Sequence, residues 1–219
     1  MQRELVDDTQ HLIFTTPILN TRVMDELASI LRHLATETAP RPVILRSAHP
    51  SVFLAGADLG EIITLDASTC IEYARRGRGV VDLLENHPAP TVAAVSGSCS
   101  GGGFDLVMAC DAVVAGEQSS FEHPGVRRGL VTGWSGSVSG PTITGPAVAR
   151  ATFIAGTRID SKTATALGLV CRIGLVPGPD AIEVAQSLAR LQPSRLRLWR
   201  LLRGRGFVDS FRASVVHKL

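Results

Sequence analysis

The sequence predicts an α/β fold, and three observations carry that expectation. Buried-strand runs recur along the chain ("HLIFTTP", "RPVILRSA", "PTVAAVSG", "AVVAGEQ"), and helical stretches lie between them. No low-complexity linker divides the 219 residues. At 45% hydrophobic and 19% charged residues, the composition suits one sizeable core. The one compositional break follows Pro193, so we expect a core domain over residues 1–192 and a short helical tail over 193–219.

In chain order, "HLIFTTP" is the first strand candidate. "TRVMDELASILRHLATE" repeats apolar residues at Val23, Met24, Leu27, Ile30, Leu31 and Leu34, the spacing of one helix face, with Thr21 as its expected N-cap. "RPVILRSA" is a short buried strand. "GEIITLDASTCIEYARRGRGVVDLLENHP" is mostly helical, with a break expected near Asp66 and Ala67 and a stop before Pro88. "PTVAAVSG" then runs as a strand into three glycines, followed by a short helix, "GGFDLVMACD", and the strand "AVVAGEQ". No sequence repeat is visible.

The glycines carry the functional signal. A strand that turns through bare backbone into a helix aims unpaired N–H groups at one point, and the helix dipole reinforces them. Such a site suits a phosphate or an oxygen that becomes negative during a reaction. Phosphate motifs fail on spacing: Gly97, Gly101, Gly102 and Gly103 match neither G-x-x-x-x-G-K-[ST] nor G-x-G-x-x-G. A Cβ at these positions is expected to keep the ligand away. A second small-residue turn, Ala55-Gly56-Ala57, also leads from a strand to a helix start. One amide from each turn could hold the same oxygen. Two other readings remain open. "GSCSG" fits a cysteine nucleophile elbow at Cys99, with Asp180 and His217 following in the required order. A turn that only packs tightly is the structural alternative.

"FLAGADLGEI", "HPAPTVAAVSGSCSGGGFDLVMACDAVVAGEQSSFEHP" and "FIAGTRIDSKTATALGLVCRI" together resemble the successive motifs of the crotonase (enoyl-CoA hydratase/isomerase) superfamily. The resemblance runs from about residue 10 to 175. It implies a spiral of ββα units, acyl-CoA thioester substrates bound without any further cofactor, and homotrimers or hexamers. It assigns the two oxyanion-hole amides to Ala57 and Gly102 and the first catalytic carboxylate to Asp105. It places CoA near the turn Ala55, Gly56, Ala57 and Asp58. The activity it implies is hydration or isomerisation of an enoyl-CoA through an enolate, as in fatty acid metabolism.

The pattern also departs from that family. Asp105 stands where relatives carry glutamate, which shortens the reach by one methylene, about 1.5 Å; capping a helix start is its structural alternative. Gly125 replaces the second glutamate. Glu122 and His123 are the nearest substitutes, and strand alternation lets one of the two face inward. Histidine is the side chain suited to proton exchange near neutral pH, although a histidine before a proline is also common as a structural residue. Ser135-Gly136 replaces a glycine pair, Ser139 an arginine, and Trp134 is expected to narrow the acyl pocket or fill core. A crotonase-fold subunit that binds CoA or a partner enzyme without turnover is therefore the alternative to an active enzyme.

Other classes find no support. A net charge of +2 gives no general pull toward nucleic acid. Eight of the lysines and arginines fall between Arg190 and Leu219, with Asp209 the only acid there, as on a solvated basic face or a contact for an anionic ligand. Cys70, Cys99, Cys110 and Cys171 lack metal-site spacing, so no metal is expected. With no signal peptide and no membrane-length apolar run in view, a reduced, cytoplasmic protein is the expectation.

Overall fold

The computed structural model describes residues 1–191, and the expected tail with its basic cluster lies outside them, apart from Arg190. The chain opens with β1 (Gln2–Val6) and β2 (Thr9–Phe14), antiparallel strands joined through Asp7 and Asp8, both at positive φ. The strand β1 is an addition to the sequence reading. β3 (Ile18–Leu19) leads to α1 (Thr21–Ala35), whose N-cap is Asn20 rather than Thr21: the Asn20 side chain accepts from the Val23 N–H at 2.9 Å. Thr21 instead donates to Glu61 from both its N–H and its hydroxyl. The α1 face Val23, Met24, Leu27, Leu31 and Leu34 is buried as its spacing predicts.

Three units then repeat one plan. β4 (Val43–Ser47), β5 (Val52–Leu54) and β6 (Gly56–Ala57) precede α2 (Leu59–Ile62) and α3 (Thr69–Glu85). β7 (Thr91–Val95) and β8 (Ser98–Ser100) precede α4 (Gly102–Ala109). β9 (Ala112–Gly116) and β10 (Ser120–Glu122) precede a 3-10 turn at Pro124–Arg128, α5 (Gly136–Thr144) and α6 (Pro146–Phe153). Each unit gives one strand to a large sheet of order β1-β2-β4-β7-β9-β12 and one to a small sheet of order β11-β10-β8-β5. β11 (Ile159–Asp160), α7 (Ser161–Ala166), β12 (Arg172–Gly174) and α8 (Pro177–Ala189) close the described chain. This is the spiral of ββα units. The repetition is one of topology, which is why no residue-level repeat announces it.

The large sheet is buried on both faces, which explains its continuous apolar strands. Val43, Leu45, Ala93, Val95, Val113 and Ala115 face the main core. Their neighbours Ile44, Val92, Ala94 and Val114 pack against Ala181 and Ala185 of α8. The helix break near Asp66 occurs where expected: its Oδ1 accepts from the N–H groups of Ser68 and Thr69, both at 2.8 Å, at the entry to α3. Those hydrogen bonds hold its carboxyl far below the usual range. No described helix is long and apolar enough to cross a membrane.

Candidate active site

The strand that enters the glycines is β8 of the small sheet, a correction to the reading that "PTVAAVSG" runs directly into them. β7 ends at Val95, the chain turns at Gly97, and β8 pairs in parallel with β5 and β10. The first glycine, Gly101, has φ +55, and its N–H donates to the Glu122 carbonyl at 3.1 Å.

Across from it, Gly56 has φ +95 at the start of β6. The two turns are in backbone contact. A Cβ on Gly56 would lie 3.0 Å from the Ser100 carbonyl oxygen and 3.4 Å from the Gly102 nitrogen, and one on Gly101 would lie 3.3 Å from the Gly56 Cα. The Ser100 hydroxyl also donates to the Ala55 carbonyl at 3.0 Å. Residues roughly 45 positions apart therefore share one corner. Gly102 is the first residue of α4, so its N–H has no acceptor within the helix. Ala57 and Gly102 both border a cavity of ≈ 660 Å³ that also takes in Ala55, Gly56 and Asp58. The Asp58 carboxylate caps α2, accepting from the Gly60 N–H at 2.8 Å.

The need for three bare residues has a different physical cause from the one expected. A Cβ on Gly102 would fall 2.0 Å from the Trp134 ring, and one on Gly103 would fall 2.5 Å from the Leu54 Cβ. Protein packs against these two positions, and a side chain there would meet the indole and β5 rather than hold a ligand away.

Asp105 lies on the cavity wall, 1% exposed. Its carboxylate does not cap its own helix. The Gly136 N–H donates to Oδ1 at 2.6 Å, Ser135 N–H to the same atom at 3.3 Å, and the Thr132 hydroxyl sits 2.7 and 2.8 Å from the two oxygens. Asp105 thus ties α4 to the segment Thr132–Gly136 and caps α5, where a negative charge is favoured. Thr132 escaped the sequence reading, since nothing local in "VTGWSG" marks its hydroxyl as a partner for a residue 27 positions earlier.

Strand alternation separates Glu122 from His123 as expected. Glu122 accepts from Arg158 at 2.6 Å, while His123 is 6% exposed and borders the cavity. The His123 Nε2 is 3.5 Å from Asp105 Oδ2. Its Nδ1 is buried and has no hydrogen-bond partner. Gly125 borders the same cavity, and a Cβ built on it would be 3.7 Å from the His123 Cε1.

Two aromatic residues complete the walls. Trp134 is 7% exposed and lies between Gly102 and Gly77 of α3, where a Cβ would also be 2.0 Å from the indole. Tyr73, missed in the sequence reading, lies 6.2 Å from it between ring centroids. The Tyr73 hydroxyl is buried without a partner, and burial, then Glu61 and Asp58, push it up to about 12. It stays protonated, a donor with no acceptor.

The cysteine-elbow reading is overturned. Cys99 points into the core from the middle of β8 at 0% exposure, and burial pushes its thiol well above the usual range. Asp180, its proposed acid, sits at the start of α8 beside Arg172 at 3.5 Å; His217 lies outside the described residues. Among the described residues no cluster of His, Cys, Asp or Glu is grouped to hold a metal ion.

Comparison with known proteins agrees with this geometry. The family model "Enoyl-CoA hydratase/isomerase" matches residues 15–198. The "Probable enoyl-CoA hydratase" of Bacillus subtilis is 33% identical over 172 residues, covering 78% of this chain and 66% of that protein. The "Enoyl-CoA isomerase/hydratase fer4" of Mycosarcoma maydis is 35% identical over 160 residues, covering 72% of this chain and 57% of that protein. The chain therefore spans between 57% and 66% of the length of these two relatives. In fold, the enoyl-CoA hydratase of Bacillus anthracis superposes with a TM-score of 0.90 at 24% identity, covering 99% of this chain and 88% of that one. With its ββα spiral, its two meeting turns and a family match across most of its length, the chain belongs to the enoyl-CoA hydratase/isomerase family, the crotonase superfamily.

Proposed function

We propose that this chain acts on an acyl-CoA thioester by stabilising an enolate. The observation that carries the reading is the corner where the Gly56–Ala57 and Gly101–Gly102 turns touch, backbone against backbone, at the edge of the cavity. In this reading the amides of Ala57 and Gly102 hold the thioester oxygen as it takes on charge. A preorganised donor of this kind is worth about 10²–10³ in rate. The turn Ala55 to Asp58 borders the CoA-binding side. Asp105 and His123, next to each other on the cavity wall, form the acid/base pair.

The reaction class follows from what Gly125 lacks. Hydration calls for groups that both position a water and deliver a proton. Gly125 contributes no second carboxylate, so one proton-transfer centre remains. Moving a proton from one carbon of the acyl chain to another needs only one such centre, because the proton removed is the proton returned. Double-bond isomerisation therefore fits this site better than hydration. The same reading carries assembly as a homotrimer or hexamer, which sedimentation velocity checks.

The test compares wild type with Asp105→Ala on two substrates, crotonyl-CoA for hydration and but-3-enoyl-CoA for isomerisation. Isomerisation by the wild type, lost in Asp105→Ala, supports the reading. Absence of turnover in both proteins, with CoA still bound, would identify a binding subunit instead.

A further inference from the structure

We propose that His123 is the group that moves the proton, and that Asp105 is a positioning residue acting through it. The inference rests on the thioester reading above and divides the labour within its acid/base pair.

The two side chains differ in how their hydrogen-bonding capacity is used. Asp105 already receives Gly136 N–H, Ser135 N–H and the Thr132 hydroxyl. Drawing a proton onto it would set it against donors that hold the start of α5. His123 is the reverse case. One nitrogen faces the carboxylate at 3.5 Å, and the other is buried with no partner. An unpartnered buried polar atom is costly, and such an atom calls for an explanation. Its surroundings do not supply one: the ring contacts Phe153 at a centroid distance of 5.6 Å, and Gly125 opens the space beside Cε1.

A carboxylate facing one ring nitrogen holds the proton there and leaves the lone pair on the other. With Nε2–H directed at Asp105, Nδ1 is the base. The separation of 3.5 Å is long for a hydrogen bond, and such contacts commonly tighten when substrate is bound. In the step, the C–H bond α to the thioester breaks and its electron pair enters the enolate, whose oxygen the Ala57 and Gly102 amides hold. The proton goes to the imidazole, and the imidazolium so formed lies beside the Asp105 carboxylate. Return of a proton from the ring to carbon regenerates the neutral ring, so nothing is oxidised or reduced; in deuterium oxide the ring proton exchanges with solvent before that return, and deuterium reaches the α-carbon.

The experiment measures exchange of the α-protons of butanoyl-CoA in deuterium oxide, with binding followed by calorimetry, for wild type, His123→Gln and Asp105→Asn. Positioned acid/base groups contribute about 10²–10⁴-fold, so His123→Gln is expected to bind butanoyl-CoA as wild type does while exchange falls at least about 100-fold. His123→Asn, a second variant without the ring, should lose exchange in the same way while still binding butanoyl-CoA. Asp105→Asn should lower the maximal exchange rate while butanoyl-CoA affinity stays near wild type, and Asp105→Glu should restore part of that rate; a merely structural role would weaken binding and exchange together. Wild-type exchange persisting in His123→Gln and lost in Asp105→Asn overturns the inference and leaves the thioester reading standing. Should His123→Gln fail to fold, exchange at the wild-type rate in a folded His123→Asn overturns it alone. A folded wild type that neither binds nor exchanges butanoyl-CoA overturns the thioester reading itself, and this inference with it.

Discussion

The two walls of the cavity are built on different physics. The wall of the meeting turns is backbone against backbone: Gly56 and Gly101 touch through Cα atoms, and the parallel pairing of β5, β8 and β10 sets their positions. The other part of the lining is held by side chains. One carboxylate, Asp105, gathers the Thr132 hydroxyl and the N–H groups of Ser135 and Gly136 from a segment without strand pairing. A wall made of main chain tolerates almost any side-chain chemistry around it, provided a few positions stay bare. A wall suspended from one carboxylate tolerates little change at that carboxylate, and it can carry reactive groups that the sheet could not present.

Trp134 bridges the two walls, and removing it should give the largest loss of stability. It belongs to the suspended segment, yet its ring covers Gly102 of the glycine turn and Gly77 of α3. Trp134→Ala should cost about 3–5 kcal/mol, read from urea unfolding. Next comes Asp105→Asn, which keeps the shape but replaces a charged acceptor with an amide that can turn a donor toward Gly136. Loss of a hydrogen bond to a charged group is worth about 1.5–3 kcal/mol, and a domain of this size should lose roughly 2–4 °C of melting temperature per kcal/mol. Gly101→Ala tests the other wall. The backbone conformation at φ +55, ψ −130 is one that L side chains rarely adopt, and such strain costs about 1–3 kcal/mol. If Asp105→Asn proved neutral while Gly101→Ala unfolded the chain, the contrast drawn between the walls would be wrong.

The backbone wall was legible in the sequence and the side-chain wall was not. Glycine and alanine clusters mark bare turns wherever they occur, and the apolar runs of β4, β7 and β9 mark a sheet buried on both faces. That the turn at Gly56 meets the turn at Gly101 and Gly102 was legible in those small-residue clusters and in the family pattern. Asp105 was found as a position, but its partners come 27 to 31 residues later, in a stretch of glycine, serine and threonine without periodicity. The short strands β3, β6, β8 and β11 are two or three residues long, too brief for alternation to register. β1 was hidden by its charges: four of its five residues are exposed, and only its pairing with β2 defines it. The inward turn of His123 is the one side-chain feature of the suspended wall that strand alternation anticipated.

A second buried histidine supplies the smallest predicted effect. His11 in β2 is 3% exposed, and both its nitrogens are engaged: Arg46 donates to Nδ1 at 3.2 Å, and Nε2 lies 3.0 Å from the Thr9 hydroxyl, which itself donates to the Val6 carbonyl. With Nδ1 accepting, the ring is neutral and carries its proton on Nε2. Burial first, then the charge of Arg46, push its pKa below the ordinary imidazole value, against smaller opposing effects from Glu4 and Asp7. The sign follows from proton counting. Below about pH 6.5 the unfolded chain binds a proton at His11 that the folded chain does not, so stability falls as pH drops through that range. The loss stops growing once pH passes below the folded-state value. His11→Gln should therefore flatten the dependence of the urea midpoint on pH between neutral and mildly acid conditions, whatever the variant does to stability at neutral pH. An equally steep dependence in the variant would assign the acid sensitivity elsewhere. A slope that disappears in His11→Gln would assign the acid sensitivity to this ring, closed within its hydrogen bonds.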